Sequence, residues 1–346
     1  MTASRNDIKK RQADLVRGPI LRSLIALAVP IMASSFLNTV YSITDMAWIG
    51  ILGSRAVAGV GVGGMFMWLA QGFGMIARMG GQVHVGQSVG RGDTEAAAGH
   101  AKAAVHLSVM LALIYAFVTV FFTEQLISLF RLNDPAAEIF AVTYMRITCG
   151  LIVLPYLSGT LGAICTAQGD SRTPLLANTI GLAANMLLDP LLILGPGPLP
   201  ALGAAGAAWA TVFAQLLSVL VLASRMLRDP GNVLHGIRIW TPAEKNRYKH
   251  IIRLGVPASL QSMAYCLISM TLTRRIAAFG AAARHEAISR QPEPGNMSKV
   301  TLNGIKKIYD NSWFIFYILS VPMFTVGWVT WLLRSEEHTS ELQSLA

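Results

Sequence analysis

Residues 23–50 read SLIALAVPIMASSFLNTVYSITDMAWIG, an apolar stretch with a single charged side chain, Asp45. A hydrocarbon core about 30 Å thick takes about 20 helical residues to cross. In lipid, only a helix satisfies its backbone polar groups within one segment. The stretch is therefore read as a membrane-spanning helix. It is too long for a signal-peptide core and has no small-residue cleavage site, so it is expected to stay. Working outward, six further runs meet the same test, near residues 56–82, 101–123, 138–168, 172–195, 202–224 and 250–280, and an eighth apolar run lies at 313–333. Composition agrees. Hydrophobic residues make up 53% of the 346, charged residues 13%, and mean hydropathy is +0.51. Soluble domains carry about 25% charged residues. The fold class expected is an all-α polytopic membrane protein.

A net charge of +10 invites a nucleic-acid reading, but its placement argues against one. Arg5, Lys9, Lys10, Arg11, Arg17 and Arg22 precede the first run, and Arg225, Arg228, Arg238, Lys245, Arg247 and Lys249 separate the sixth from the seventh. Arg91, Lys102 and Arg172 fall on the same side, whereas the opposite loops hold only Arg55 and Arg131. This is the positive-inside distribution, which puts the N-terminus in the cytoplasm. Cys149, Cys165 and Cys266 lie inside apolar runs without metal-like spacing or a disulfide framework.

Residues 24–53 and 251–280 align without a gap at nine identities in thirty, among them Pro30 with Pro257 and Gly53 with Gly280. Six spans separate the two starts, so both copies begin on one side of the membrane, as in a six-plus-six transporter built from parallel repeats. The chain then reads as one lobe and the first helix of a second. After Ala283 the character changes. Residues 284–296 are polar, and 297–310 resemble the opening strand of an ABC-transporter ATPase, with no phosphate loop behind it. Residues 334–344 look like a translated sequencing adapter. The divisions expected are a basic arm 1–22, a six-helix lobe 23–224, an inter-lobe loop 225–249, the first helix of a truncated second lobe 250–283, and a non-native tail 284–346. A genuine divergent tail is the alternative.

An ionisable group inside a span costs roughly 2.5–3.5 kcal/mol at the helix centre, which makes it a functional candidate by default. Asp45 is one, unless it lies near enough to the outer interface to be hydrated. The fifth run offers Asn185-Met-Leu-Leu-Asp189-Pro190. Asn185 and Asp189 are four apart and share a helix face. Pro190 cannot donate a backbone hydrogen bond, which frees an upstream carbonyl. Amide, carboxylate and free carbonyl make an oxygen-rich site suited to a proton or Na⁺; a packing Asn and a capping Asp are the alternative.

Five segments together resemble the MATE (multidrug and toxic compound extrusion) family over roughly residues 15–283. They are Asn38-Thr-Val-Tyr-Ser-Ile-Thr-Asp45 with Trp48-Ile-Gly50 and Gly53, Gly86-Gln-Ser-Val-Gly-Arg-Gly-Asp93, Gln168-Gly-Asp-Ser-Arg-Thr-Pro174, Asn185-Met-Leu-Leu-Asp-Pro190, and Gly203-Ala-Ala-Gly-Ala-Ala-Trp-Ala-Thr211. The resemblance implies the six-helix N-terminal lobe of a six-plus-six transporter. It implies a secondary antiporter, not an enzyme, expelling organic cations or other drug-like compounds as H⁺ or Na⁺ flows inward. It further implies a cation site in this lobe, built from Asp45, Asn185 and Asp189, with Thr211 and Tyr144 as further members and Asn178 left open. Any bound metal ion would be Na⁺ at Asp45, Asn185 and Asp189. The implied setting is the bacterial inner membrane, crossed several times, with lipid and a small-molecule substrate as partners, no nucleic acid, no cofactor, and a monomer at full length. Desolvation disfavours the charged form of a carboxylate, so a proton, Na⁺ or an organic cation can each neutralise such a site.

Rival functions read differently. A flippase for a lipid-linked saccharide should line its cavity with Arg or Lys, and Arg146 is the one basic residue read as well inside a span. A membrane enzyme needs a clustered nucleophile–base or His/Asp/Glu set, and none is evident. Other features read structurally: Gly59, Gly61, Gly63 and Gly64 as close-packing positions, and His84, His100 and His106 as interface or packing residues without metal-ligand spacing. Asp93 and Asp170 read as loop ion pairs or helix caps. Met65, Met67, Met75 and Met79 suit either a drug-contacting surface or lipid.

Overall fold

Pro30 sits inside the first helix, α1 (Ile20–Ile51), as Pro257 sits inside the last, α9 (Lys245–Ser289). Each proline removes one rung of the helical ladder, and neither ends its helix. Between them lie α2 (Ser54–Gly90), α3 (Thr94–Phe121), the short α4 (Thr123–Ser128), α5 (Pro135–Gly150), α6 (Val153–Ala167), α7 (Arg172–Leu194) and α8 (Ala204–Arg228). The computed structural model describes residues 20–132, 134–195, 201–235 and 241–289, with side chains omitted at 20–24, 26–27, 272 and 275–289. The apolar run at 313–333, the basic arm before Ile20 and the stretches compared with an ATPase strand and an adapter lie outside the described residues. The chain divides by packing after Ala277, and the unit beyond it is described only as the end of α9.

Among the described residues, α2, α3, α7, α8 and α9 are each long and apolar enough to cross a membrane, and α5 with α6 passes the same test as a pair bent by 47°. The run 138–168, expected as one straight helix, is thus a broken one. Gly150 ends α5, and Pro155 is placed in the first turn of α6, where its missing N–H costs nothing. The inter-lobe loop is also shorter than expected, because α8 runs on to Arg228 and α9 starts at Lys245.

The packing is that of a membrane bundle. Large apolar side chains face outward, among them Phe117, Phe121, Leu187 and Ile268, while the buried positions are crowded with alanine. Lipid supplies no hydrophobic drive for helix association, so close van der Waals approach of small residues takes its place. A Cβ on Gly59 would meet the Ala137 carbonyl, and one on Gly63 the Tyr144 ring, so these two glycines admit α5 against α2. Gly61 and Gly64 face open space. Gly80 and Gly255 bring α9 as tightly onto α2, where Ser259 donates to the Gly72 carbonyl at 2.9 Å. Met65 and Met67 pack against the core and Met79 is exposed. Asp93 and Asp170 are helix caps: Asp93 accepts from Ala96 N, and Asp170 from Arg172 N and Thr173 N.

Candidate functional site

The site grows from the contact of α7 with α8. Gly206 has no room for a side chain, since a Cβ there would lie 2.2 Å from the Leu192 carbonyl; Gly181, similarly, faces Ser218 and the Ala214 carbonyl. Between these two close approaches sit Asn185 and Asp189, on one helix face as their spacing requires, and 1% and 0% exposed. With its amide oriented to satisfy both neighbours, Asn185 donates to Asp189 Oδ2 at 2.9 Å and accepts from the backbone N–H of Thr211 at 3.1 Å. The Thr211 hydroxyl donates to the Ala207 carbonyl at 3.0 Å and lies 3.4 Å from the Tyr41 hydroxyl. Tyr144, buried on α5, reaches the same hydroxyl from the other side.

Asp45 joins from α1. It is half-buried and within electrostatic range of Asp189 and Tyr41. Asp45 Oδ1 and Asp189 Oδ1 are both buried without a hydrogen-bond partner in the protein. Unpaired buried polar atoms are rare in folded proteins and each calls for a reason. Here two such oxygens belong to carboxylates within electrostatic range of each other. Beside them a cavity of about 50 Å³ is lined by Asn38, Tyr41, Asn178, Asn185, Thr211 and Gln215. A water needs about 10–15 Å³ of such space, so there is room for water or a small ion.

All five residues expected here, Asp45, Tyr144, Asn185, Asp189 and Thr211, are therefore brought together. Asn178, left open from the sequence, lines the cavity. Tyr41, Asn38 and Gln215 were not singled out. A signal existed for the first two: Asn38, Tyr41 and Asp45 recur at helical spacing on one face of α1.

The basic residues need a correction. Arg146 was the one read as deep in a span, yet it is half exposed and paired with Glu124 at 2.7 Å. Arg78 also lies within α2 and was overlooked; its aliphatic stem packs against Gly159. The histidines were read apart but partly gather. His84 and His100 stack at 5.1 Å, His250 lies 5.9 Å from His84, and His106 bonds Tyr248 at 2.8 Å. Among the described residues no group of three His, Cys, Asp or Glu is arranged to hold a metal.

Comparison with known proteins gives the geometry a family. The MatE family model matches residues 30–191. The probable multidrug resistance protein NorM of Thermotoga maritima is 26% identical over 255 residues, 71% of this chain and 52% of that protein. The FAD transporter of Shewanella oneidensis is 26% identical over 295 residues, 81% of this chain and 63% of its own length. Among solved structures, an outward-facing multidrug resistance MATE family transporter superposes with a TM-score of 0.69 at 22% identity, covering 80% of this chain and 62% of that one. A MOP superfamily transporter from Pyrococcus furiosus with a binding pocket of reverse polarity superposes with the same TM-score at 21% identity and the same coverage. The chain thus spans between half and two thirds of the length of these relatives. Over residues 30–191 the chain matches the MatE family model, and its described helices share the fold of MATE transporter structures.

Proposed function

We propose that the Asp45–Asn185–Asp189 cluster is the coupling-ion site of a secondary antiporter that exports organic cations or other drug-like compounds in exchange for H⁺ or Na⁺. The observation that carries this reading is the pair of buried carboxylate oxygens, one on α1 and one on α7, that no protein group satisfies. The Tyr41 and Thr211 hydroxyls add neutral oxygens nearby, and oxygen is the ligand hard cations take. That the Thermotoga maritima relative is a probable multidrug resistance protein supports the substrate class. The bacterial inner membrane with a cytoplasmic N-terminus is the setting that the positive-inside distribution supports.

The mechanism follows from size and charge. The small cavity beside the cluster, lined by amides and hydroxyls, suits H⁺ or Na⁺. An organic cation reaches the carboxylates only when α1 parts from α7 and α8, and the small ion is then released. Occupancy by one excludes the other, and that exclusion couples the two fluxes. The ion must also favour one helix arrangement over the other, since a ligand shifts an equilibrium only by its differential affinity. A flippase for a lipid pyrophosphate is less well matched, because the cavity is lined by neutral amides and hydroxyls, with no Arg or Lys among its lining residues.

The test uses the purified chain in weakly buffered solution. Adding tetraphenylphosphonium should release protons, read with an indicator dye, or displace bound ²²Na⁺. Asp45→Asn and Asp189→Asn should each abolish the release. Undiminished release in both variants would sink the assignment.

A further inference from the structure

At the far end of the bundle from Asp45, the end of α6, the start of α7 and the end of α8 enclose a cavity of about 760 Å³. Ligand pockets typically measure about 300–1,000 Å³, so this one has the size of a binding site. Three arginines line it: Arg172 at the first turn of α7, and Arg225 and Arg228 in the last turn of α8. The ion pairs found among the described residues involve Arg55, Arg146 and Arg247, and none of these three.

Two aspartates, Asp170 and Asp229, also line the cavity and accept hydrogen bonds from neighbouring residues. Asp170 accepts from Arg172 N, Thr173 N and the Thr173 hydroxyl, and Asp229 accepts from Gly231 N at 3.0 Å. The wall is built in place. Gln168 Oε1 accepts from Val233 N at 3.0 Å, His235 Nδ1 meets the Leu227 carbonyl at 2.8 Å, and Leu234 is buried. Buried Cys165 and Met226 supply an apolar floor. The Gln168–Pro174 segment, which the coupling-ion site leaves without a role, contributes Asp170, Arg172 and Thr173 to the lining. A positive-inside bias accounts for basic residues at this end. It does not account for three guanidiniums ringing one preformed cavity.

We infer that this cavity binds a phosphate-bearing anion through Arg172, Arg225 and Arg228. The guanidinium fork matches phosphate oxygens two at a time, and the apolar floor accepts a non-polar part of the ligand. The same chemistry is offered by an anionic phospholipid headgroup and by a soluble pyrophosphate compound.

The experiment takes the full chain purified in detergent. Native mass spectrometry counts bound phosphatidylglycerol against phosphatidylcholine, and calorimetry follows titration with inorganic pyrophosphate. Saturable binding of either probe is expected. Arg225→Gln/Arg228→Gln should weaken it about tenfold or more, and Lys245→Gln, which changes the same end outside the cavity, should not. Binding of the lipid alone assigns the site to a headgroup; binding of pyrophosphate alone assigns it to a soluble ligand. Should the glutamine variant fail to fold, Arg225→Lys/Arg228→Lys keeps the charge, and a several-fold loss is still expected because the fork is gone. No saturable binding of either probe, binding unchanged in these arginine variants, or an equal loss in Lys245→Gln would overturn the proposal.

Discussion

Asn185 occupies the one position where Asp189 and the backbone of Thr211 are both satisfied by a single side chain. Its amide supplies a donor to the first and an acceptor to the second, which neither Asp nor Leu can do. Asn185→Leu leaves a buried carboxylate oxygen without its donor, and an unsatisfied buried group costs roughly 1–3 kcal/mol. A lowered Tm in detergent, with binding of the coupling ion lost, is the expected result. Tyr41→Phe removes only a hydroxyl at the rim. That change should weaken Na⁺ or proton binding about two- to tenfold and leave Tm unchanged. Asp45 and the same-face pair Asn185 and Asp189 were readable from sequence because a carboxylate in an apolar run has few explanations. Thr211 and Tyr144 were not, since hydroxyls in spans are common and need no partner beyond a carbonyl one turn back, as Thr148 shows with Tyr144. They entered only through family resemblance.

Among the elements, α7 and α8 matter most for the site, and their approach is set by the two glycines flanking it. At Gly206 the obstacle is backbone, the Leu192 carbonyl, which cannot swing aside. Gly206→Val should therefore force the helices apart at a cost of about 1–3 kcal/mol, lowering Tm and weakening ion binding together. Gly61→Ala, which meets open space, should be neutral in both assays. Hydropathy reveals that a segment crosses the membrane but not which face approaches which neighbour. That is why the glycine run 59–64 was read as uniform when only Gly59 and Gly63 pack. The break between α5 and α6 was hidden for a related reason. Leu151 to Leu154 is apolar throughout, and a window average passes over Gly150 and Pro155.

For the whole molecule, the account is of one bundle with two chemically opposite ends. Carboxylates meet α1 to α7 and α8 at one, and arginines gather around the ends of α6, α7 and α8 at the other. In the alignment of residues 24–53 with 251–280, Asp45 falls opposite Leu272, so the charge is not common to the two segments. The central claim is that an organic cation and the coupling ion compete for these two carboxylates. It is tested most directly by equilibrium binding of radiolabelled tetraphenylphosphonium to the purified chain across a range of pH and Na⁺ concentration. The account predicts that affinity falls as proton or Na⁺ concentration rises, and that this dependence disappears in Asp45→Asn and in Asp189→Asn. Binding indifferent to both ions in the unmodified chain, or competition persisting in both variants, would contradict it.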